Sequence, residues 1–411
     1  MILLKSKIFF LVLLLPCFVV AETIHVGTSY KYKTIKSAIS HSKNNDTLLI
    51  HKGYYQEGTI LIEKPLTIIG QNYPILDGLH KIEIISIKSD NVTISGLKLI
   101  NSGKSDVYDL AAIRVYKNKN IKISDNELEN NFFGIFLTKS DHCTITNNRL
   151  SSTEEKQNDS GNGIHLLYCS NILIENNHIA GHRDGIYFEF VTESIIQKNI
   201  SEGNIRYGLH FMFSSDDVYQ ENTFRNNGAG VAVMFSFKVK MINNRYEHNW
   251  GASSYGLLLK EIRDGEITGN TFEKNTTGIS MEGTTRITVS QNDFIQNGWG
   301  IRICGGCDQG IITKNNLIGN SFDVSTSGST LSNDFTGNYW DKYMGYDLNK
   351  DGFGDTPFFP VNLSSIILER IPASLLFLHS FVLDLIDQSE KLLPQLIPQN
   401  IVDKKPILKK I

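Results

Sequence analysis

A repeat of about 22 residues limits the fold of this chain more than any other feature. A small residue followed by an aliphatic residue recurs with steps of 22, 29, 22, 23, 22, 26, 22 and 22 residues, at Ala112-Ile113, Gly134-Ile135, Gly163-Ile164, Gly185-Ile186, Gly208-Leu209, Gly230-Val231, Gly256-Leu257, Gly278-Ile279 and Gly300-Ile301. An Asn keeps nearly the same step, at positions 126, 148, 177, 199, 222, 244, 270, 292, 315 and 338. Two independent markers with one period indicate a true structural repeat.

The period predicts strands rather than helices. It is too short for helical-pair repeats, and its short alternating apolar runs are separated by Gly and Asn, which are typical of turns. The leucine-rich-repeat pattern is not kept. We therefore predict an all-β, right-handed parallel β-helix over residues 22–362, in which every coil pairs with the next. The recurrent Asn suits the turns and the stacking of coils, so it is assigned no catalytic role.

The N-terminal residues have the pattern of an address signal. Residues 1–21 combine Lys5 and Lys7, an apolar run and the small-residue sequence Val19-Val20-Ala21, which predicts a cleaved signal peptide and a mature chain that begins near Glu22, outside the cytoplasm. A short helix over residues 32–43 is expected to cap the first coil. The polar insertion at 151–161 is expected to form an exposed loop.

The last part of the chain differs in composition. Residues 363–411 are predicted to form a C-terminal helical tail with more apolar surface than one packed face needs. Pro372 divides its apolar stretch, and His379 and Asp384 interrupt it, so it does not resemble a membrane span. Two interpretations stay open: helices that cap the solenoid, or a segment that docks on a partner or membrane subunit.

Charge and cysteine content exclude some function classes. The net charge of −3 does not favour binding to nucleic acid or to an anionic membrane surface. Four cysteines follow the predicted signal peptide, too few for a disulfide scaffold. Cys304 and Cys307 have CxxC spacing without a second such pair, which predicts a local disulfide or two free thiols. Cys143 and Cys169 lie out of phase between coils and are not expected to pair.

Aligning the coils predicts which side chains share a surface. Because strand residues alternate and the aliphatic after each Gly must point inward, the second and fourth positions after that Gly point outward. The second-position row is Arg114, Phe136, His165, Tyr187, His210, Ala232, Leu258, Ser280 and Arg302. The fourth-position row is Tyr116, Thr138, Leu167, Glu189, Met212, Met234, Lys260, Glu282 and Cys304.

The two rows bring together soft metal ligands. Met212 and Met234 are predicted neighbours on adjacent coils, about 4.8 Å apart along the stack. His210 lies two residues from Met212 on the same face. Two thioethers and an imidazole suit Cu(I) better than zinc or calcium. The alternative is that the methionines are ordinary surface or partner-contact residues.

Two further motifs carry possible chemistry. Asp347, Asn349, Asp351 and Asp355 resemble part of a calcium loop, although the closing Glu is missing; the alternative is a turn that ends the solenoid. Residues 181–185 place His, Arg and Asp in one predicted turn. An Arg–Asp turn pair is the expected arrangement there, and an acid/base site is the alternative.

Several segments resemble the NosD family of periplasmic β-helix proteins that serve nitrous oxide reductase maturation. The similarity covers nearly all of the chain after the predicted signal peptide. The matching segments are 181–188 (GHRDGIYF), 207–213 (YGLHFMF), 230–236 (GVAVMFS), 337–340 (GNYW), 347–355 (DLNKDGFGD) and 403–407 (DKKPI).

The resemblance implies a maturation scaffold rather than an enzyme. It implies work with the membrane and ATPase subunits of an ABC transporter, copper delivery by a lipoprotein chaperone, and assembly of the copper–sulfur centre of nitrous oxide reductase. It assigns His210, Met212 and Met234 as the copper-ligand candidates, and the apolar tail as the contact with the membrane subunit. The rival prediction is a carbohydrate-active β-helix enzyme: a lyase, hydrolase or epimerase. Glu189 and Glu282 lie four coils apart, too far for paired hydrolytic carboxylates.

Overall fold

A computed structural model describes residues 21–105, 107–327, 332–371, 380, 385 and 401–411. The predicted signal peptide, apart from Ala21, lies outside these residues. So do positions 372–400 of the predicted tail, apart from Ser380 and Leu385. Among the helices of the described residues, none has both the length and the apolarity needed to cross a membrane.

The strands are short and come in groups of three per coil. In chain order the first half comprises β1 (Thr23–Val26), β2 (Thr47–Ile50), β3 (Tyr54–Tyr55), β4 (Ile60–Ile62), β5 (Thr67–Gly70), β6 (Ile75–Asp77), β7 (Ile85–Ile87), β8 (Thr93–Ser95), β9 (Lys98–Ile100), β10 (Ala111–Tyr116), β11 (Lys122–Ser124), β12 (Glu127–Glu129), β13 (Phe133–Thr138), β14 (Thr144–Thr146), β15 (Arg149–Ser151), β16 (Ile164–Leu167), β17 (Leu173–Glu175), β18 (His178–Ala180) and β19 (Asp184–Glu189).

The second half continues the same order of strands. It comprises β20 (Ile195–Gln197), β21 (Ile200–Glu202), β22 (Tyr207–Met212), β23 (Val218–Gln220), β24 (Thr223–Arg225), β25 (Ala229–Met234), β26 (Lys240–Ile242), β27 (Arg245–Glu247), β28 (Leu257–Lys260), β29 (Glu266–Thr268), β30 (Thr271–Glu273), β31 (Thr277–Glu282), β32 (Thr288–Ser290), β33 (Asp293–Ile295), β34 (Trp299–Cys304), β35 (Ile311–Thr313), β36 (Asn316–Ile318), β37 (Phe322–Ser327) and β38 (Tyr339–Trp340). The two described helices are α1 (Ile35–His41) and α2 (Leu363–Arg370).

Three parallel sheets form the walls of the solenoid. Every third strand pairs with the next, which gives sheets of 13, 12 and 13 strands. The 12-stranded sheet runs from β4 to β37 and contains the longest strands, of six residues; we call it the wide sheet. This arrangement is a parallel β-solenoid of the right-handed type, which confirms the predicted fold class.

The core fills the space between the three sheets. On the wide sheet the inward residues are aliphatic or aromatic and fully buried, as in Ile186, Phe188, Leu209 and Phe211. At the N-terminal end, α1 buries Ile35 and is shorter than the 32–43 segment predicted from sequence. The amphipathic alternation of each strand therefore defines an inside and an outside.

The C-terminal end of the solenoid is closed by residues 401–411. The buried carboxylate of Asp403 accepts hydrogen bonds from the backbone N–H groups of Gly337 and Asn338 and from Trp340 Nε1, at 2.8–2.9 Å. Ile407 bridges Tyr339. Part of the segment predicted to be a separate tail therefore packs against the last coil. The docking role predicted for residues 363–411 remains a prediction.

Candidate functional site

The fourth-position row runs along the outside of the wide sheet as predicted. The strand register pairs its residues in sequence from Tyr116 to Glu282, and Cys304 follows because its neighbour Ile303 pairs with Met281. Met212 pairs directly with Met234 between β22 and β25. Both methionines are half-buried. The thioether pair predicted from coil spacing is therefore present.

The second-position row keeps its predicted register but is largely covered. His210 lies in this row between Tyr187 and Ala232 and is only 5% exposed. The rings of Phe136 and His165 stack at 4.0 Å, His165 and Tyr187 meet at 4.7 Å, and Tyr187 and His210 at 5.0 Å. Pointing away from the core thus does not mean exposure to solvent, because these side chains bury one another.

Asp184 lies in a strand of this face and not in the turn predicted from the sequence. It begins β19, is completely buried, and has its Oδ2 3.6 Å from His210 Nδ1 and its Oδ1 3.5 Å from Arg206 Nε. The expected turn pair is wrong: in the described part of the chain no ion pair joins Arg183 to Asp184. Asp184 stands in a strand, where its partners come from the next coil rather than from its own turn.

A sequence signal for Asp184 did exist. The residues that precede the repeated Gly or Ala form a row of their own: Ala111, Phe133, Asn162, Asp184, Tyr207, Ala229, Tyr255, Thr277 and Trp299. Asp184 is the one charged residue in this row. An isolated carboxylate in an otherwise uncharged row marks a position that packing alone does not explain.

Hydrogen bonding around this carboxylate is incomplete. Within the described residues, neither carboxylate oxygen of Asp184 and neither ring nitrogen of His210 has a hydrogen-bond partner. Buried polar groups are usually hydrogen-bonded, and exceptions often mark a functional site or an unplaced ligand. His210 therefore has nitrogen lone-pair capacity that the fold does not use.

Burial keeps the neighbouring imidazoles neutral. It lowers the pKa of His165 to about 3, with help from the positive charges of Arg114 and Arg183. Burial likewise lowers the pKa of His182 to about 4, and it raises the pKa of Tyr187 to about 12, where the charge of Glu189 adds to the effect. A neutral imidazole is the form that binds metal ions. His165 and His182 are therefore neutral at pH 7.

The donor set narrows the kind of metal that this face can hold. Across the described residues no group of three or more His, Cys, Asp or Glu side chains is arranged to hold one ion. A metal site here would have to use thioether sulfur as well as nitrogen. Met212, Met234 and His210 supply two soft sulfurs and one imidazole, a combination that suits Cu(I).

The four cysteines after the predicted signal peptide are all free thiols. Cys143 and Cys169 are buried, and burial raises their pKa values to about 12 and about 11. Cys307 is buried as well, whereas Cys304 is half-exposed at the end of the fourth-position row. Of the two states predicted for Cys304 and Cys307, free thiols is therefore the one observed.

The acidic loop after β38 forms a network of turns. Asp347 accepts hydrogen bonds from the backbone N–H groups of Lys350 and Gly352, and Asp355 accepts one from Leu348. Such side-chain-to-backbone bonds are typical of Asx turns. Calcium binding by Asp347, Asn349, Asp351 and Asp355 stays a prediction.

Comparison with known sequences supports the NosD family, which the resemblance in the sequence also indicated. A family model described as "Periplasmic copper-binding protein (NosD)" matches residues 39–158 and 151–345. A curated protein of Stutzerimonas stutzeri, named "Probable ABC transporter binding protein NosD", is 27% identical over 87% of this chain and 85% of its own length. The protein of the same name from Pseudomonas aeruginosa is 28% identical over 86% of both.

Comparison with solved structures supports the fold alone. The A-module of mannuronan C-5 epimerase AlgE4 from Azotobacter vinelandii superposes with a TM-score of 0.54 and 13% identity, over 71% of this chain and 91% of that one. PfbA, a surface adhesin of Streptococcus pneumoniae, gives 0.52 and 12%, over 72% and 88%. One neighbour is an enzyme and the other an adhesin, so the shared solenoid does not decide the function.

Proposed function

The chain belongs to the NosD family of periplasmic copper-binding proteins, and from that premise we propose that it binds Cu(I) through Met212, Met234 and His210 on the wide sheet. The observation that carries this proposal is the register of the two methionines. They are direct partners on adjacent strands, and His210 lies two residues before Met212 on the same face. Each of the three ligands is therefore positioned by a paired strand rather than by a loop.

Asp184 would support His210 in this site. Metal-binding histidines usually give their second ring nitrogen to a carboxylate, which fixes the ring orientation and raises its basicity. Asp184 Oδ2 lies 3.6 Å from His210 Nδ1, beyond hydrogen-bond distance, so we propose that this bond shortens when His210 Nε2 binds the metal. Asp184 is thus a positioning residue and not a ligand.

The biological role that we propose is that of an accessory scaffold. The curated relatives are named ABC transporter binding proteins. We therefore place this chain beside the membrane and ATPase subunits of such a transporter. There it would accept Cu(I) from a copper chaperone lipoprotein and assist assembly of the copper–sulfur centre of nitrous oxide reductase.

A carbohydrate-active enzyme is the competing function. In the fourth-position row, Glu189 and Glu282 are separated by four strand spacings, about 19 Å. Glycoside hydrolysis requires two carboxylates within about 10 Å of each other. The spacing of the two glutamates therefore argues against a hydrolytic pair in this row.

The test is a Cu(I) titration of the purified chain against a competing chelator. Met212→Leu/Met234→Leu removes both sulfurs with little change of volume. We expect its Cu(I) affinity to fall more than about 100-fold, since losing ligands should exceed the 10- to 100-fold effect of losing supporting groups. Met344→Leu is the matched control, because Met344 is 96% exposed and far along the chain.

Two results of that titration would contradict the proposal. Equal Cu(I) affinity of the double variant and the unaltered chain would move the site away from the methionines, with Cys304 as the next candidate. Absence of Cu(I) binding by the unaltered chain would remove the copper function altogether. An oligosaccharide-binding assay would then test the competing function.

A further inference from the structure

A cavity of about 460 Å³ lies against the outer face of the wide sheet, near its C-terminal end. One wall is the turn between β27 and β28, of which residues 250–255 line the cavity, and another is α2 with Leu368 and Glu369. Residues of β31, β34 and β37 form its floor. The cavity is separate from the methionine pair, because β34 is the third strand after β25 in this sheet.

A longer turn builds one wall of the cavity. The step from Gly230 to Gly256 is 26 residues instead of 22, so this coil carries four extra residues. Gly251 anchors the turn, because its N–H donates to Thr276 Oγ1 and its carbonyl accepts from the same hydroxyl, each at 3.0 Å. The turn holds Trp250 with 64% of its surface exposed. The extra residues therefore place an exposed indole at the cavity, where it can pack on a ligand.

The strands supply two aromatic walls with a gap between them. The residues at the start of four successive wide-sheet coils are Tyr255, Thr277, Trp299 and Phe322. Trp299 stacks on Phe322, with ring centroids 5.9 Å apart. On the other side, the small Thr277 separates Trp299 from Tyr255 by two strand spacings, about 9.6 Å. Aromatic rings in direct contact lie about 4.5–7 Å apart, so the gap over Thr277 is wide enough to admit a ligand ring.

Two polar atoms at this cavity have no partner in the fold. Within the described residues, neither Ser254 Oγ nor Trp299 Nε1 makes a hydrogen bond, and both atoms are buried. Ser254 and Trp299 both line the cavity. A buried polar atom without a partner is costly. A ligand with hydroxyl groups can supply both partners, because a hydroxyl accepts from the indole N–H and can donate to the serine or accept from it.

The charges at the cavity are already paired. Arg302 Nε donates to Glu369 Oε1 and Oε2 at 3.1 and 3.0 Å, which joins β34 to α2. A charged ligand would have to break this ion pair. Glu369 is also the one Asp or Glu among the described residues that line the cavity, whereas hydrolysis of a glycosidic bond requires two carboxylates. The cavity therefore fits an uncharged ligand that is bound and not cleaved.

Aromatic side chains, hydroxyl groups and unpaired donors together indicate the class of ligand. The C–H face of a pyranose packs on an indole or phenol ring, while the hydroxyl groups of the sugar form hydrogen bonds at its edge. A wholly apolar ligand would leave Ser254 Oγ and Trp299 Nε1 without partners. The volume of the cavity is within the usual range of small-molecule sites, about 300–1,000 Å³. The lining thus matches a neutral sugar better than an apolar molecule or an anion.

We propose that this cavity is a binding site for a neutral sugar, held between Tyr255 and Trp299 and covered by Trp250. The sugar accepts a hydrogen bond from Trp299 Nε1 and forms another with Ser254 Oγ. The site goes beyond the proposed function, because it does not depend on Cu(I) binding by the methionines. Its ligand is a free sugar or the end of a glycan, since both present the same ring and hydroxyl groups.

The test is isothermal titration calorimetry of the purified chain at pH 7, with glucose, N-acetylglucosamine, chitobiose and glucuronate as probes. We expect at least one of the three neutral sugars to bind, with a Kd at least about tenfold lower than that of glucuronate. Tighter binding of chitobiose than of N-acetylglucosamine would support the end of a glycan as the ligand, and equal binding would support a free sugar.

Two variants place the sugar in this cavity. Trp250→Ala should raise the Kd of the tightest-binding sugar about tenfold, because an exposed aromatic contact is lost. Ser254→Ala should raise it about fivefold and leave the free energy of unfolding unchanged, because the hydroxyl has no partner in the fold. Tyr108→Ala is the matched control for Trp250→Ala, because Tyr108 is 69% exposed and does not line the cavity.

Three results would overturn the sugar site. They are the absence of binding by all three neutral sugars at about 10 mM, tighter binding of glucuronate than of every neutral sugar, and equal sugar affinity of both variants and the unaltered chain. Cleavage of chitobiose would also overturn it, in favour of the competing enzyme function. Cu(I) affinity of Trp250→Ala should equal that of the unaltered chain, so a failure of the copper proposal and a failure of the sugar site are seen separately.

Discussion

Two buried polar regions of this molecule differ in how completely their side chains are hydrogen-bonded. In the row of Asn residues that follows the coils, Asn222 is fully buried and fully bonded. Its Nδ2 donates to Ile196 O and Asn244 Oδ1 at 2.9 and 3.0 Å, and its Oδ1 accepts from Asn199 N and Nδ2 at 2.9 and 3.0 Å. On the outside of the wide sheet, the side chains of Asp184 and His210 are also buried, but within the described residues they have no hydrogen-bond partner.

The difference separates a structural polar group from a functional one. Burial of a polar group is costly unless hydrogen bonds replace those lost to water. In the Asn row each side chain is hydrogen-bonded to the Asn of a neighbouring coil. The row therefore stabilises the stack and leaves no unused donor or acceptor. The side chains of Asp184 and His210 do not meet this requirement, and His210 lies two residues before Met212 on the same strand. The ligand binding that we propose therefore belongs to the second region.

The strongest way to test this contrast is to break one rung of the Asn row. Asn222→Ala removes four hydrogen bonds and leaves the N–H of Asn199 buried without a partner. We expect the free energy of unfolding to fall by about 4 kcal/mol, measured by urea denaturation at pH 7. Gln220→Ala, which removes one half-buried hydrogen bond to Gln197, is the control and should cost much less. A loss below about 1 kcal/mol for Asn222→Ala would mean that the rungs are not structural.

The opposite behaviour is expected on the wide sheet. Asp184→Asn should lower Cu(I) affinity about 10- to 100-fold, because the supporting carboxylate of His210 is lost. The free energy of unfolding should fall much less than for Asn222→Ala, since Asp184 loses only long contacts, at 3.5 Å to the partly exposed Arg206 and at 3.6 Å to His210. Asp216→Asn is the control, because Asp216 pairs with Lys238 at the surface. Strong destabilisation with unchanged copper affinity would make Asp184 another structural group.

The same contrast shows how far the sequence alone could lead. Register was predictable, because a fixed period puts Met212 beside Met234 whatever the details of the turns. Burial was not predictable, because the cover over His210 comes from rings of the same row. The exposed ring stack of Tyr168, Phe190, Phe213 and Phe235 was also missed: the positive φ at Phe213 follows from the stacking of coils, and no Gly or Asn stands there to indicate it. The repeat period thus determines which residues lie side by side on adjacent coils. How buried each residue is depends on the side chains that surround it in the assembled structure.

His182 connects the two regions in sequence, because it lies two residues before Asp184. Its backbone N–H donates to Asn204 Oδ1 at 3.1 Å, and Asn204 bonds Asn227 in the same way, so His182 occupies a rung of a second Asn row. It is buried like its Asn neighbours, but within the described residues neither of its ring nitrogens has a hydrogen-bond partner. It is thus a buried group without hydrogen bonds inside the structural region.

The effect expected at this position depends on pH. Burial lowers the pKa of His182 to about 4 from the ordinary value near 6.5, so the unfolded chain binds the proton more tightly. Its contribution to stability is complete above pH 6.5 and is lost as the pH falls from 6.5 toward 4. At pH 5 the loss is about 2 kcal/mol. His182→Asn places an Asn at this position of the row and should abolish this loss of stability at low pH.

The measurement is the difference in unfolding free energy between His182→Asn and the unaltered chain, by urea denaturation at pH 7 and pH 5. Using the difference matters because buried Asp217 and Asp323 have raised pKa values and change stability in the opposite direction as the pH falls. We expect the difference to shift by about 2 kcal/mol in favour of the variant at pH 5. A pH-independent difference would show that folding leaves the proton affinity of His182 unchanged. The imidazole would then have a hydrogen-bond partner, and His182 would belong with the structural polar groups.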